Sequence, residues 1–325
     1  MRLFLILFLI LCFSDYRSQN EQLNPNFIFI GETHNHTKKN YNFYLKLIEQ
    51  KLKQNDTVIF FDEITISGGY YINQNLDNVN YKKVKKFVFF SMGSRIPIKF
   101  LKKLIHLKEV YNNKTFILKG HDVDEDYSDV NTLYREIIAN HRNEFYNLSI
   151  AKFFFNEHTN FDYGGRFKDT LNVLCPLICN YLEKKSGIVS KSELYILKTG
   201  FNNLKFDFLN KIYKPQFNEN LYAKRDSFMY ENIKNQIYMC SNKVPIIVSI
   251  GEAHLNREAY NLKESKVKVF ADYIDNSNLK NEKFILLYNN SGVSQLKQIE
   301  DPFKLEDINY DYYSDSSFKY IYIKK

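Results

Sequence analysis

Two stretches far apart in the chain, NFIFIGETH at residues 26–34 and VPIIVSIGEAH at residues 244–254, share one pattern. Each is a short run of large apolar residues that ends in Gly-Glu, one further residue and His. An unbroken apolar run of this length is typical of a strand that is buried on both faces of a parallel sheet. The Gly lets the backbone turn sharply as it leaves the strand, so that the Glu and the His can both face one cavity.

Further apolar runs predict more strands, and helical periodicity separates the first of them. The runs are TVIFF at 57–61, TFIL at 115–118, KVKVF at 266–270, FILLY at 284–288 and YIYI at 320–323. Apolar residues recur at helical spacing over 39–54 and 97–111, and residues 128–240 are mostly helical in pattern. This strand–helix–strand order favours right-handed crossovers. The sequence therefore predicts an α/β fold: a mainly parallel central sheet flanked by helices, with a large helical insertion or cap at about 128–240.

Polar residues follow four of the predicted strands at the point where each strand ends. They are Glu32, His34, Asp62, Glu63, His121, Asp122, Glu252 and His254. In a parallel sheet the carboxyl ends of the strands share one edge, and ligands bind in the crevice beyond that edge. We therefore expect these carboxylates and imidazoles to meet at one rim of the sheet.

A rim of this composition suits hydrolysis. A neutral His can take a proton from water, a neighbouring Glu can orient its imidazole, and an Arg can stabilise a developing oxyanion. Two His and a carboxylate can equally hold a divalent metal that activates water, and both mechanisms stay open. The sequence lacks GxSxG, the P-loop pattern and GxGxxG, which argues against serine α/β-hydrolases, nucleotide phosphate transfer and dinucleotide-dependent redox chemistry.

The first residues predict an export signal. After Met1-Arg2, the apolar run LFLILFLILCF is too short to span a bilayer but fits the core of a secretory signal that is cleaved after Ser14. Cys12 offers the alternative of a lipid anchor. We therefore divide the chain into a signal peptide, 1–14, and a single domain, 15–325. The sequence predicts no transmembrane span, and we expect the mature protein to be periplasmic or secreted.

Composition excludes some other classes. The net charge of +8 comes from 45 Lys and Arg against 37 Asp and Glu spread along the chain, so we predict no nucleic-acid partner. Four Cys in 325 residues do not form a disulfide scaffold. Cys175 and Cys179 lie one helical turn apart, a poor geometry for a bridge. We expect buried free thiols.

The segment YAKRDSFMYENI at 222–233 resembles the Arg-Asp-x-x-Met-x-x-Asn motif of the erythromycin-esterase-like proteins. LIHLKEVYNNKTFILKGHDVD at 104–124 resembles that family's helix, Tyr-Asn, strand and Gly-x-Asp stretch, and IGETH and IGEAH resemble its two strand ends. The resemblance spans roughly residues 26–256. The wider superfamily includes the Tiki/TraB-type proteins and haem-uptake lipoproteins, and the tight Gly-Glu-x-His spacing is closer to that branch.

The resemblance implies a role for each matching residue. His34 would be the general base, with Glu32 and Glu63 as acidic partners. Arg225 would contact the substrate or the oxyanion and would be held by Asp226. His254 would be the second site histidine. The remaining candidates are Glu252 beside His254, Asp122 at the Gly-x-Asp position, the additional His121, and His36 near the site.

The resemblance also implies an activity. We expect a hydrolase that acts on an ester, a lactone or an amide in a small-molecule or peptide substrate, and the esterase branch needs no cofactor. In the Tiki-like alternative, a peptidase would use a divalent metal (Mn, Co or Zn) bound by His34, His254 and Glu63. In a third alternative the same scaffold binds haem or another ligand, with an exposed His such as His36 as the axial ligand.

Overall fold

A computed structural model of the chain describes residues 27–32, 38–77, 82, 84–85, 97–124, 126–155, 168–204, 218–238, 244–251, 254, 268–275, 283–288, 297–298, 310–315 and 318–323. The predicted signal peptide, with Cys12, lies outside these ranges. Within them, no helix combines the length and the hydropathy needed to cross a bilayer.

One sheet of eight strands organises the described part of the chain. The strands are β1 (Phe27–Glu32), β2 (Thr57–Thr65), β3 (Thr115–Asp122), β4 (Ile246–Gly251), β5 (Lys283–Tyr288), β6 (Lys297–Gln298), β7 (Tyr310–Asp315) and β8 (Phe318–Ile323). Their order is β3-β2-β4-β1-β5-β8-β7-β6. The first six in this order run parallel, and β7 and β6 add an antiparallel edge. The predicted α/β fold with a mainly parallel sheet is confirmed.

Helices cover both faces of the parallel strands. They are α1 (Lys38–Gln54), α2 (Ile66–Asp77), α3 (Ile98–Val110), α4 (Tyr127–Asn140), α5 (Arg142–Phe145), α6 (Lys152–Phe155), α7 (Lys168–Lys184), α8 (Lys191–Asn203), α9 (Glu219–Tyr238) and α10 (Phe270–Asp275). The helices predicted over 39–54 and 97–111 are α1 and α3. The prediction of a strand at 266–270 is wrong at its last residue, because Phe270 begins α10.

Strands β1 to β4 are mostly apolar before their polar ends, because both faces of this part of the sheet are covered by apolar clusters. On one face, Ile28, Phe60 and Ile247 pack against α1 and α3. On the other face, Phe29 and Val248 lie in a cluster with α9 and α10. Successive side chains of a strand point to opposite faces, so an alternating polar pattern would place polar groups inside one of the two layers.

The predicted helical region contains α4 to α9, which lie between β3 and β4 in sequence. Helices α4, α6, α7 and α8 share a separate apolar cluster with the first residue of α2. Cys175 and Cys179 belong to this cluster as buried free thiols, as predicted. Burial raises the pKa of both thiols, so both stay protonated at neutral pH.

Two glycines allow close backbone contact at the end of β3, which carries His121 and Asp122. Gly69 brings α2 against β3, and Gly120 brings β3 against the last residues of β2. A Cβ on Gly69 would lie 2.0 Å from the backbone nitrogen of Gly120, and a Cβ on Gly120 would lie 2.0 Å from the carbonyl oxygen of Thr65. These obstacles are backbone atoms, which cannot rotate away. Both positions therefore require glycine.

We expect Gly69→Ala to lower the free energy of unfolding by about 3 kcal/mol, because the added methyl group forces α2 away from β3. Urea denaturation of the purified protein measures this loss. An unchanged midpoint and slope would contradict the close packing of α2 on β3.

Asp124 is a buried carboxyl group just beyond β3. It is fully buried, and its Oδ1 accepts a hydrogen bond from the backbone N–H of Ser67 at 3.2 Å. Burial raises its pKa to about 7, although hydrogen bonds from Ser67 and Thr65 act in the opposite direction. The folded state therefore holds a proton on this carboxyl between about pH 4 and pH 7, where the unfolded chain has lost it.

The stability of the protein should therefore fall as the pH rises from about 4 to 7, by up to about 4 kcal/mol from this group alone. Asp124→Asn mimics the protonated acid and should remove this component. The variant should be more stable than the wild type at pH 8 and about equal to it at pH 4, as measured by urea denaturation at both values. Equal stability at pH 8 would show that Asp124 carries no raised pKa.

Candidate functional site

The candidate site lies where β2, β3 and β4 end beneath α9. Glu63 belongs to β2, Asp122 ends β3, and His254 follows β4, so the sheet brings together residues far apart in sequence. Helix α9 supplies Arg225 and Asp226 from one turn. The carboxyl ends of the parallel strands thus meet as expected, and a helix closes over them.

Arg225 joins the ends of two strands. Its Nε and Nη2 donate to Oδ1 and Oδ2 of Asp122 at 2.9 and 2.6 Å, a bidentate pair. Its Nη2 also lies 3.3 Å from Oε1 of Glu63. The side chain is buried, and a buried guanidinium needs paired carboxylates to offset its lost hydration. This double contact fixes the position of the cation.

Glu63 lies between two cationic groups. Its Oε2 accepts a hydrogen bond from the backbone N–H of Gly251, and its Oε1 lies 3.7 Å from Nε2 of His254 as well as close to Arg225. One carboxylate therefore connects β2, the end of β4 and α9. Both of its oxygens are in use, so Glu63 orients the two cations.

His254 is held by Asp226 on its other side. Its Nδ1 lies 2.6 Å from Oδ1 of Asp226, and Oδ2 of Asp226 accepts the backbone N–H of Phe270 at 2.8 Å. Burial would lower the pKa of His254, but Asp226 and then Glu63 outweigh it and raise the pKa to about 9. At neutral pH His254 is therefore an imidazolium, a proton donor and a cation. In this state it cannot serve as the base.

The centre is thus a chain of alternating charge. Its members, in spatial order, are Asp122, Arg225, Glu63, His254 and Asp226. Each cation contacts two carboxylates, which is how buried charges are tolerated in a protein interior. The chain has three carboxylates against two cations, so only its donor groups, on Arg225 and His254, suit a negatively charged substrate oxygen, and Nε2 of His254 can donate a proton.

The rest of the Arg-Asp-x-x-Met-x-x-Asn segment supports this centre. Met229 packs in the apolar cluster between α9 and the sheet. The side-chain amides of Asn232 and Gln236 donate to the carbonyl oxygens of His121 and Gly120, each at 2.9 Å. Asn232 is therefore buried and anchors α9 to the end of β3. The motif residues recur at helical spacing because they lie on the face of α9 that packs against the end of β3 and the sheet.

His121 lies beside the centre without joining the charge chain directly. Its Nε2 lies 2.8 Å from the carbonyl oxygen of Ser249. A carbonyl oxygen only accepts, so Nε2 carries the proton and Nδ1 is left as an acceptor. Full burial lowers the pKa of His121 and outweighs the opposing effects of the Ser249 carbonyl, Glu63 and Asp122. His121 is therefore neutral, in contrast to His254.

Tyr222 is a residue of the centre that the sequence pattern did not predict. This fully buried residue lies on α9, with its hydroxyl 3.1 Å from Nδ1 of His254 and its ring nearly parallel to the imidazole. The available signal was its spacing, three residues before Arg225 and four before Asp226, which places all three on one side of a helix.

The structure brings together Glu63, Asp122, Arg225, Asp226 and His254, with His121 adjacent. Glu32 ends β1 in register with Gly251, and its side chain lies outside what the structure describes. His34, His36 and Glu252 also lie outside the described residues. Within the described part of the chain, no group of three or more His, Cys, Asp and Glu is placed to hold a metal.

Solved structures show which known proteins share the fold. No family model and no curated protein matches the sequence significantly. An erythromycin esterase mutant in its open conformation matches with a TM-score of 0.53 at 14% identity, over 85% of this chain and 73% of that one. A Bacillus cereus protein matches with a TM-score of 0.52 at 15% identity, over 83% of this chain and 70% of that one.

A third structure, a succinoglycan biosynthesis protein, matches with a TM-score of 0.51 at 10% identity, over 85% of this chain and 69% of that one. Identities this low show the fold alone. The chain therefore has the fold of the erythromycin esterase structure, as the sequence resemblance suggested.

Glu63→Gln should destabilise the protein by about 3–5 kcal/mol, because it leaves two buried cations without the carboxylate between them. Urea denaturation at pH 7 measures the loss. Glu109→Gln, at an exposed glutamate of α3, is the matched control and should change stability little. Equal effects of the two substitutions would contradict the central place of Glu63.

Proposed function

We propose that this chain, which has the fold of the erythromycin esterases, is an extracytoplasmic hydrolase. The single observation that carries the proposal is the buried chain of alternating charge at the carboxyl ends of the strands. Two cations, Arg225 and His254, are held there by carboxylates. The short apolar segment that ends at Phe13, just before the predicted cleavage point at Ser14, supports export of the protein.

The reaction requires a base to activate water, and His34 is our candidate. It follows β1, which lies beside β4 in the sheet, so the chain leaves β1 at the same rim as His254. The raised pKa of His254 excludes it from the role of base at neutral pH. Two histidines with different charge states would then divide the work, with one accepting a proton and the other donating one.

Attack of the activated water on an ester, lactone or amide carbonyl places negative charge on the carbonyl oxygen. Arg225 and His254 are positioned to stabilise that charge, because both are fixed before the substrate arrives. His254 can then protonate the leaving group from Nε2. Glu63 orients the two cations, and Asp122 and Asp226 hold them from outside. We assign Glu32 to the orientation of His34 or the water, and we place Glu252 beside His254.

The metal-dependent alternative uses some of the same residues. His34, His254 and Glu63 would bind the metal, and the metal would polarise the carbonyl or acidify the water. The carboxylate and imidazole donors suit Mn, Co or Zn. Nε2 of His254 would have to lose the proton that it directs at Glu63 before it could act as a ligand. The esterase mechanism needs no such change, so we place it first.

The activity test uses purified residues 15–325 with a panel of p-nitrophenyl esters, lactones and peptide amides. His34→Ala should lower kcat/KM by at least about 100-fold, as expected for loss of a general base. His106→Ala, at an exposed histidine of α3, should leave activity unchanged. Activity of His34→Ala within a few-fold of the wild type would contradict the proposed role of His34.

The same preparation separates the alternatives. Hydrolysis that persists in a chelator supports the metal-free mechanism. Hydrolysis that appears only with Mn²⁺, Co²⁺ or Zn²⁺ supports the metal-dependent peptidase. An inactive protein that gives a Soret band on titration with haemin, lost in His36→Ala, would replace the hydrolase proposal with haem binding.

A further inference from the structure

Tyr222 lies in the first half of α9, one helical turn before Arg225 and Asp226. It is fully buried, and its ring contacts the imidazole of His254. Spacings of three and four residues place side chains on one side of a helix. A single turn of α9 therefore presents an aromatic ring, a guanidinium and a carboxylate to the ends of β2, β3 and β4.

The geometry separates the contribution of the ring from that of the hydroxyl. The two ring planes differ by 5°, and the ring centroids are 5.1 Å apart. Nδ1 of His254 has two oxygen neighbours: Oδ1 of Asp226 at 2.6 Å and the Tyr222 hydroxyl at 3.1 Å. The imidazolium has one proton on Nδ1, and the closer, charged acceptor takes it. The hydroxyl is therefore a secondary contact.

The ring of Tyr222 restrains His254 more than the hydroxyl does, because it lies against one face of the imidazole. The nearly parallel rings are in a stacked arrangement, which favours this orientation of the imidazole over others. The stacked ring also restricts rotation of the imidazole about its side-chain bonds. Rotation of the imidazole would break two contacts at once. One joins Nδ1 to Asp226, and the other joins Nε2 to Oε1 of Glu63, 3.7 Å away.

We propose that Tyr222 is a positioning residue whose ring, rather than its hydroxyl, holds the His254 imidazole in the plane in which Nδ1 meets Asp226 and Nε2 faces Glu63. This inference rests on the proposed function and extends it. His254 acts on the substrate, and Tyr222 acts through His254.

The test compares Tyr222→Phe, which keeps the ring, with Tyr222→Met, which keeps most of the volume and removes the ring. Met229→Leu, a core substitution on the same helix, is the matched control for packing. The first readout is the NMR signal of the Nδ1 proton of His254 at pH 7, assigned by its absence in His254→Asn. The second is kcat and KM for the best p-nitrophenyl ester.

Tyr222→Phe and Met229→Leu should retain the proton signal and at least half of kcat. Tyr222→Met should lose the signal to solvent exchange and lose at least tenfold in kcat, with KM within about twofold. A purely structural role would leave the proton signal of a folded Tyr222→Met unchanged, and that result would overturn the proposal.

If Tyr222→Met does not fold, the proposal is tested by the proton signal of Tyr222→Phe alone. Loss of the proton signal in a folded Tyr222→Phe would show that the hydroxyl carries the role and would overturn the proposal, whereas retention supports it. A wild-type protein that hydrolyses no member of the panel would overturn the proposed function instead. The NMR comparison would still decide how His254 is held.

Discussion

The carboxylate of Glu63 is the constraint on which the rest of the centre depends. It accepts the backbone N–H of Gly251, and it faces both Arg225 and His254. The other two carboxylates of the charge chain each hold one cation from outside. Removing Glu63 would leave two buried cations without the carboxylate between them, and it would remove the polar contacts that link β2 to the end of β4 and to α9.

Helix α9 makes the centre rigid because it is tied to the strand ends by polar contacts as well as by apolar packing. Amides from its second half bind the carbonyl oxygens of Gly120 and His121, while Arg225 binds the side chain of Asp122. These contacts fix the helix against the same strand from which the site is built. A centre preorganised in this way needs little rearrangement as charge develops on a substrate.

Much of this could be predicted from the sequence because it rests on local signals. Buried strands require unbroken apolar runs, and polar residues that follow those runs must meet at one rim. Other features depend on contacts between distant elements, which no periodicity shows. Tyr222 resembles any buried aromatic residue of a helix, and the raised pKa of His254 depends on two carboxylates that are distant in sequence. The KVKVF segment has the composition of a strand, yet Phe270 begins α10 and packs beneath α9.

The proposed mechanism requires His34 to belong to the same centre as Arg225, Glu63 and His254. A crystal structure of residues 15–325 would show this through the distance from the imidazole of His34 to the carboxylate of Glu63. We expect His34 to face Glu63 and His254 across a space that one water molecule can bridge. An imidazole directed away from the charge chain, with no path of one water between them, would exclude His34 as the base.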